Sequence, residues 1–199
     1  MIELQPDAKN KYFDPYQKVW TTKILPGEYH VAESGEMIVT TLGSCISACI
    51  RDKRLGLGGM NHFMLPASEK GEWAGVSAST RFGNFAMEHL INEIIKQGGN
   101  KNDMEASILG GGIMFGSTTI KVGETNIKFA QEYLAVERIP LIYEDVGGEV
   151  SRKVYFSPNT GKIIVKKLAR LTNDTIEKRE KSLAEDISKK PIEGDVELF

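Results

Sequence analysis

Two thiols and a downstream imidazole are the residues whose types and spacing suggest chemistry. Cys45 and Cys49, the only cysteines of the chain, lie in TTLGSCISACIRD, residues 40 to 52. A nucleophilic thiol needs a lowered pKa, open approach for a substrate, and backbone N–H groups aimed at the developing oxyanion. The small residues Gly43 and Ser44 directly before Cys45 suit the last two needs. A helix starting at Cys45 would add a field favouring thiolate; a strand there would not. Cys49, set among Ile46, Ala48 and Ile50, reads as packing. Burial in an apolar segment is the competing reading for Cys45 as well.

His62 is the natural base. It lies seventeen positions after Cys45, in GGMNHFML, and two neighbouring strands joined by a tight turn would bring the pair together. A Cys–His pair also needs a group that orients the imidazole, and the hydroxyls of Thr40 and Thr41 stand on the cysteine side of the turn. His89, near the apolar face of a predicted helix, reads as structural, and His30 has no supporting pattern. A zinc site is not expected, because the cysteines are spaced C-x3-C and the chain has only three histidines. GLGGM at 56–60 and GGG at 110–112 miss the glycines that phosphate-binding loops require, so no nucleotide or other cofactor is expected. Gly110 to Gly112 read either as a place of close backbone approach in packing or as the rim of a substrate cleft.

The elements that must position these residues follow from the patterning. A hydrophobic fraction of 41% and a charged fraction of 26% describe a globular chain. The net charge of -2 gives no reason to expect nucleic acid or an anionic membrane as partner. The polar, acid-bearing start does not read as a signal peptide, and no run approaches the roughly 18 apolar residues of a membrane span. With two cysteines and no disulfide framework, the expected compartment is the cytoplasm.

Residues 1–22 read as a loosely organised N-terminal leader, 23–169 as one domain, and 170–199 as a solvated, charged tail with a frayed helix. Within the domain, KILPGEYHVA reads as a strand broken at Pro26-Gly27. EMIVTTL and GGMNHFML read as strands, and 67–79 as a surface loop. A helix capped by Ser79 or Thr80 runs to Gly98-Gly99. Strand MEASILGGGIMF, a helix over roughly 123–137, strand RIPLIYEDVGG and a hairpin around Pro158–Gly161 complete the order. Strands outnumber helices without a regular alternation, which predicts an α+β or layered α/β sandwich with mixed sheets and helices packed outside.

Several segments occur in an order that resembles one family. LGSCISACIRD, GGMNHFMLP, FGNFAMEHLINEIIKQGG, ILGGGIMF, VGETNIKF, EDVGGEVSRKVYF and SPNTGKIIVKK look like the CheD chemoreceptor glutamine deamidases of bacterial chemotaxis, over about residues 24 to 168. The resemblance implies a cysteine hydrolase that converts receptor glutamines to glutamate through a thioester, some members also hydrolysing receptor methyl esters. It implies a fold similar to the catalytic domain of cytotoxic necrotizing factor. Its catalytic cysteine and histidine match Cys45 and His62. The family's threonine stands six positions before the cysteine, where this chain has Val39, so Thr40 is taken as the third residue with Thr41 as the alternative. Gly43, Ser44 and Gly111 are taken as facing the substrate or its oxyanion. Implied partners are the cytoplasmic helices of chemoreceptors and a CheC-type phosphatase, with recruitment to receptor arrays. The alternative is a non-catalytic, mainly regulatory docking module for those same partners.

Overall fold

A computed structural model of the chain describes residues 10–65, 72–73, 76–113, 117–168, 178–180, 182 and 185. The chain begins with β1 (Lys11–Asp14), β2 (Val19–Lys23), β3 (Tyr29–Val31) and β4 (Met37–Leu42). Strands β5 (Ile46–Asp52) and β6 (Leu57–Asn61) follow, then the short β7 (Glu72–Trp73) and β8 (Val76–Ser77). Helix α1 (Ala78–Lys96), β9 (Met104–Gly110), α2 (Ser117–Val136), β10 (Leu141–Val146), β11 (Ser151–Ser157) and β12 (Lys162–Leu168) complete the order.

The strands form two five-stranded mixed sheets, ordered β1-β2-β4-β11-β12 and β10-β9-β5-β6-β3, besides the β7-β8 ribbon. Pairing is parallel between β2 and β4 and between β9 and β10, and antiparallel elsewhere in the two sheets. The period of two along each strand decides which layer a side chain enters. On β5, Ile46, Ala48 and Ile50 pack with Met87, Leu90 and Ile94 of α1 and with Ala130 and Leu134 of α2. The opposite face of β5 turns Cys49 toward the first sheet, where Ile38, Leu42, Val154 and Phe156 meet Met60 and Leu109. The layers are therefore sheet, sheet, helices, an α+β sandwich with both helices on the second sheet alone. Among the described residues, the outer face of the first sheet carries the small cluster of Met37, Val39 and Tyr155, with Val19 and Ile164 packed against it.

Three expectations are revised. Residues 11–22 were expected as a loose leader, but they supply β1 and most of β2. β1 is a mostly exposed edge strand, and the residues that β2 buries are Thr21 and Thr22, so hydrophobic periodicity carries little trace of either. The break at Pro26-Gly27 is a crossing between sheets, since β2 belongs to the first and β3 to the second; Gly27, at φ 86°, makes the turn. Helix α1 begins at Ala78, so Ser79 and Thr80 lie inside its first turn instead of capping it.

Near this crossing, the buried Glu36 carboxylate accepts hydrogen bonds from Thr22 and from the Glu33 amide at 2.8 Å, and lies 3.1 Å from His30 Nε2. Burial pushes its pKa up, but the contacts with His30, Thr22 and Glu33 outweigh that and bring it to about 2. A depressed carboxyl stabilises the fold above its unfolded pKa and loses that contribution as pH falls toward 2. Glu36→Gln is expected to lower stability by about 2 kcal/mol at pH 7, with the gap to the natural chain closing between pH 4 and pH 2. Urea denaturation at both ends of that range checks it.

Candidate active site

Cys45 lies in the short link between β4 and β5, and so at the seam between the two sheets. Its strand continuation leaves no helix N-terminus to activate the thiol, which settles that alternative. The link is held from behind by all three of its carbonyls. Gly43 O accepts from the Gly112 amide at 2.7 Å, Ser44 O from Asn126 Nδ2 at 2.9 Å, and Cys45 O from the Gly111 amide at 2.7 Å. With the carbonyls turned one way, the three amides of Gly43, Ser44 and Cys45 point the other way and converge on a single carboxylate, that of Glu180. Oε1 accepts from Gly43 at 2.9 Å and Cys45 at 3.2 Å. Oε2 accepts from the Ser44 amide at 3.0 Å and the Ser44 hydroxyl at 2.7 Å. Consecutive amides fixed in this way form an anion-binding concavity.

The glycine cluster therefore works in packing. A Cβ at Gly110 would collide with the Cys45 carbonyl, and one at Gly112 would lie 3.0 Å from the Gly43 carbonyl. Gly111, expected to face the substrate or oxyanion, instead gives its amide to the back of the link. Gly43 and Ser44 stand at the front of the link, donating to the Glu180 carboxylate. A Cβ at Gly43 would stand 2.8 Å from Glu180 Oε1, so a bare backbone there keeps the pocket open.

His62 follows β6, its amide bonded to Glu28 O at 2.9 Å and its carbonyl accepting from Gly27 at 2.8 Å. Its Nδ1 lies 2.8 Å from Thr40 Oγ1. That hydroxyl donates its one hydrogen to Ile24 O at 2.9 Å, so Nδ1 must donate and Nε2 is left with a bare lone pair. Nε2 is buried and, among the described residues, has no hydrogen-bond partner. Thr40 reaches His62 because Ile38, Thr40 and Leu42 share the face of β4 that looks at the second sheet. Val39, with Met37, looks outward. Thr41, half-buried, makes no hydrogen bond to the imidazole.

Cys45 Sγ, a ring nitrogen of His62 and a Glu180 oxygen lie within 4.8 Å of one another. Three donors that close would also suit a metal ion, but each Glu180 oxygen already accepts two hydrogen bonds. Burial raises the Cys45 thiol pKa well above its usual value, and the adjacent Glu180 raises it further. Burial pushes His62 down to about 3. The pair is thus neutral thiol and neutral imidazole while Glu180 is in place. Cys49, also free, is raised by burial alone. His89 stacks on Phe85 with ring centroids 4.0 Å apart, in keeping with a structural role.

Two residues of the site were not singled out from the patterning. Asn126, fully buried on α2, accepts from the Leu65 amide at 2.8 Å while holding Ser44 O; a polar residue on an apolar helix face was the only hint. Asn126→Ala leaves both backbone groups without that partner and is expected to cost about 3 kcal/mol, read as a lower urea midpoint with unchanged slope. Glu180 belongs to the segment expected as a solvated tail, yet it is only 6% exposed.

Fold and site together define an α+β enzyme with a thiol and an imidazole beside an amide-lined anion pocket. The family model described as CheD chemotactic sensory transduction matches residues 64–167. A probable chemoreceptor glutamine deamidase CheD of Halorhodospira halophila is 48% identical over 194 residues, 96% of this chain and 89% of that protein. Its namesake in Methylobacillus flagellatus is 47% identical over 194 residues, 96% of each chain. One in Hydrogenovibrio crunogenus is 42% identical over 190 residues, 95% of this chain and 99% of that protein. The chain belongs to the CheD family. Coverage of 96% also carries the similarity into the N-terminal segment and the tail, beyond the motifs of residues 24 to 168.

Proposed function

We propose that the protein is a chemoreceptor glutamine deamidase in which Cys45 is the nucleophile, His62 the general base and acid, and Thr40 the group that orients His62. The observation that carries this reading is the convergence of three consecutive amides and the Ser44 hydroxyl on a side-chain carboxylate beside the Cys45 thiol and the bare Nε2 of His62. A glutamine carboxamide has the shape of that carboxylate. His62 Nε2 takes the thiol proton as sulfur adds to the carboxamide carbon. The amides hold the oxyanion, each donor worth about 3 kcal/mol in comparable chemistry. The imidazolium then protonates departing ammonia, leaving a thioester. Water, deprotonated by the same nitrogen, releases glutamate and restores the thiol. A receptor methyl ester would follow the same path with methanol leaving.

Among the described residues, no helix is long and apolar enough to cross a membrane. We infer action in the cytoplasm at receptor arrays, on the cytoplasmic helices of receptors. The names of the relatives support the receptor as substrate. The two-sheet layering is compatible with the expected likeness to the catalytic domain of cytotoxic necrotizing factor.

The test is incubation of the full chain with a chemoreceptor cytoplasmic fragment. Ammonia release and a mass gain of about 1 Da at particular glutamines are expected from this chemistry; an unchanged fragment sinks the proposal. A second reading, docking to receptors or to a CheC-type phosphatase without turnover, draws on the filled state of the anion pocket. It predicts fragment binding with no mass change.

A further inference from the structure

Glu180 lies 135 residues beyond Cys45, yet it occupies the pocket that the link residues build. The described residues around it, 178–180, 182 and 185, are helical. Its four hydrogen bonds use every amide of the link and the one hydroxyl there. Cys45 is 0% and His62 1% exposed, so an outside side chain has no way to the thiol while Glu180 stays. The cleft beside them is bounded by Lys23, Pro26, Thr41 and Arg179, the last on the tail itself. Ordinary packing accounts poorly for this arrangement. A polar, charged segment has many solvated places to lie, and burying a carboxylate is costly unless donors compensate it. The donors that compensate it are the ones an oxyanion would need.

The occupant has a chemical meaning on the deamidase reading. Glutamate is what remains when a glutamine side chain loses ammonia, and here it is carried on helical backbone. We propose that Glu180 is a built-in product mimic: the C-terminal segment fills its own active site, and turnover requires its displacement by a glutamine presented on an α-helix. The proposal rests on the function proposed above and adds to it the shape of the substrate and a resting, closed state. A tethered ligand competes at millimolar effective concentration, so even a weak mimic raises the apparent KM and leaves kcat unchanged.

The experiment uses the full chain with Glu180→Ala and Glu180→Gln. Glu180→Ala is expected to speed alkylation of Cys45 by iodoacetamide on the order of tenfold. Cys49, buried on the same face, should stay slow in both proteins and so reports that the fold is intact. KM for a receptor fragment should fall with kcat unchanged. Glu180→Gln places a carboxamide where the carboxylate lay. Position 180 should then gain about 1 Da with one ammonia released per chain, and the gain should vanish when Cys45→Ala is added. Equal labelling of Cys45 in the natural chain and Glu180→Ala, with normal deamidation of the receptor fragment, overturns the product-mimic proposal and leaves the deamidase reading standing. Faster labelling with no deamidation of fragment or position 180 upholds the occupied site and removes the deamidase reading instead.

Discussion

Cys45→Ala is expected to lower kcat/KM for receptor-fragment deamidation by at least about four orders of magnitude, on the precedent of nucleophile deletion in triad enzymes. The loss should be this large because the other groups have nothing to act through once sulfur is gone. On the proposed mechanism, His62 Nε2, without a hydrogen-bond partner among the described residues, has only the thiol to take a proton from, and the link amides would meet an oxyanion only after a nucleophile has added. Cys49 cannot substitute: it lies four residues further along, inside the sheet interface, and burial holds its thiol protonated. Removing one sulfur from the link leaves all three backbone carbonyls anchored, so the variant should fold and still bind the fragment. Ammonia release and fragment affinity, measured on the same preparation, separate the outcomes. Full activity in Cys45→Ala would end the nucleophile assignment, whereas unchanged binding with no ammonia in both proteins would favour the docking reading.

The second large effect concerns the two threonines. Thr40→Val is expected to reduce kcat by about a hundredfold, within the range for loss of general base function, while Thr41→Val stays within about threefold. Valine keeps the volume at position 40 but removes the oxygen that accepts from Nδ1 and donates to Ile24 O. The imidazole is then free to place its proton on Nε2, the tautomer that cannot accept from the thiol. Thr40→Ser should recover most of the rate, since it restores the hydroxyl. Nitrogen chemical shifts of the imidazole report the tautomer directly, a readout that simple loss of packing would not move. Equal losses at positions 40 and 41 would dismiss the orienting role.

How much of this was legible in the sequence differs by residue. The closeness of Cys45 and His62 was readable because a small-residue turn and a strand pair are local features, and β5 and β6 do pair antiparallel. The choice between Thr40 and Thr41 was not, because side-chain parity has no meaning until the neighbouring sheet is known. Once β4 sits over β5, the face shared with Ile38 and Leu42 puts Thr40, not Thr41, against His62. Gly111 misled for a related reason: a glycine that lets backbone approach can stand in front of a loop or behind it, and composition does not distinguish the two. Glu180 was hidden most deeply. Nothing in a polar, charged stretch marks one glutamate among many, and its contacts span 135 to 137 positions. β1 and β2 escaped because the first is an exposed edge and the second buries threonines, so neither gives the apolar alternation that periodicity measures.

The position of the link at the seam has a mechanical consequence. The thiol and the imidazole ride on the second sheet, while the hydroxyl that fixes the imidazole rides on the first. A slip of one sheet across the other, by less than the length of a hydrogen bond, would uncouple Thr40 from His62 while both sheets kept their ladders. On the proposed mechanism, turnover would therefore gauge the alignment between the sheets. On warming it should fade before circular dichroism records any loss of strand, much as a lock fails when its plate shifts though door and frame are sound.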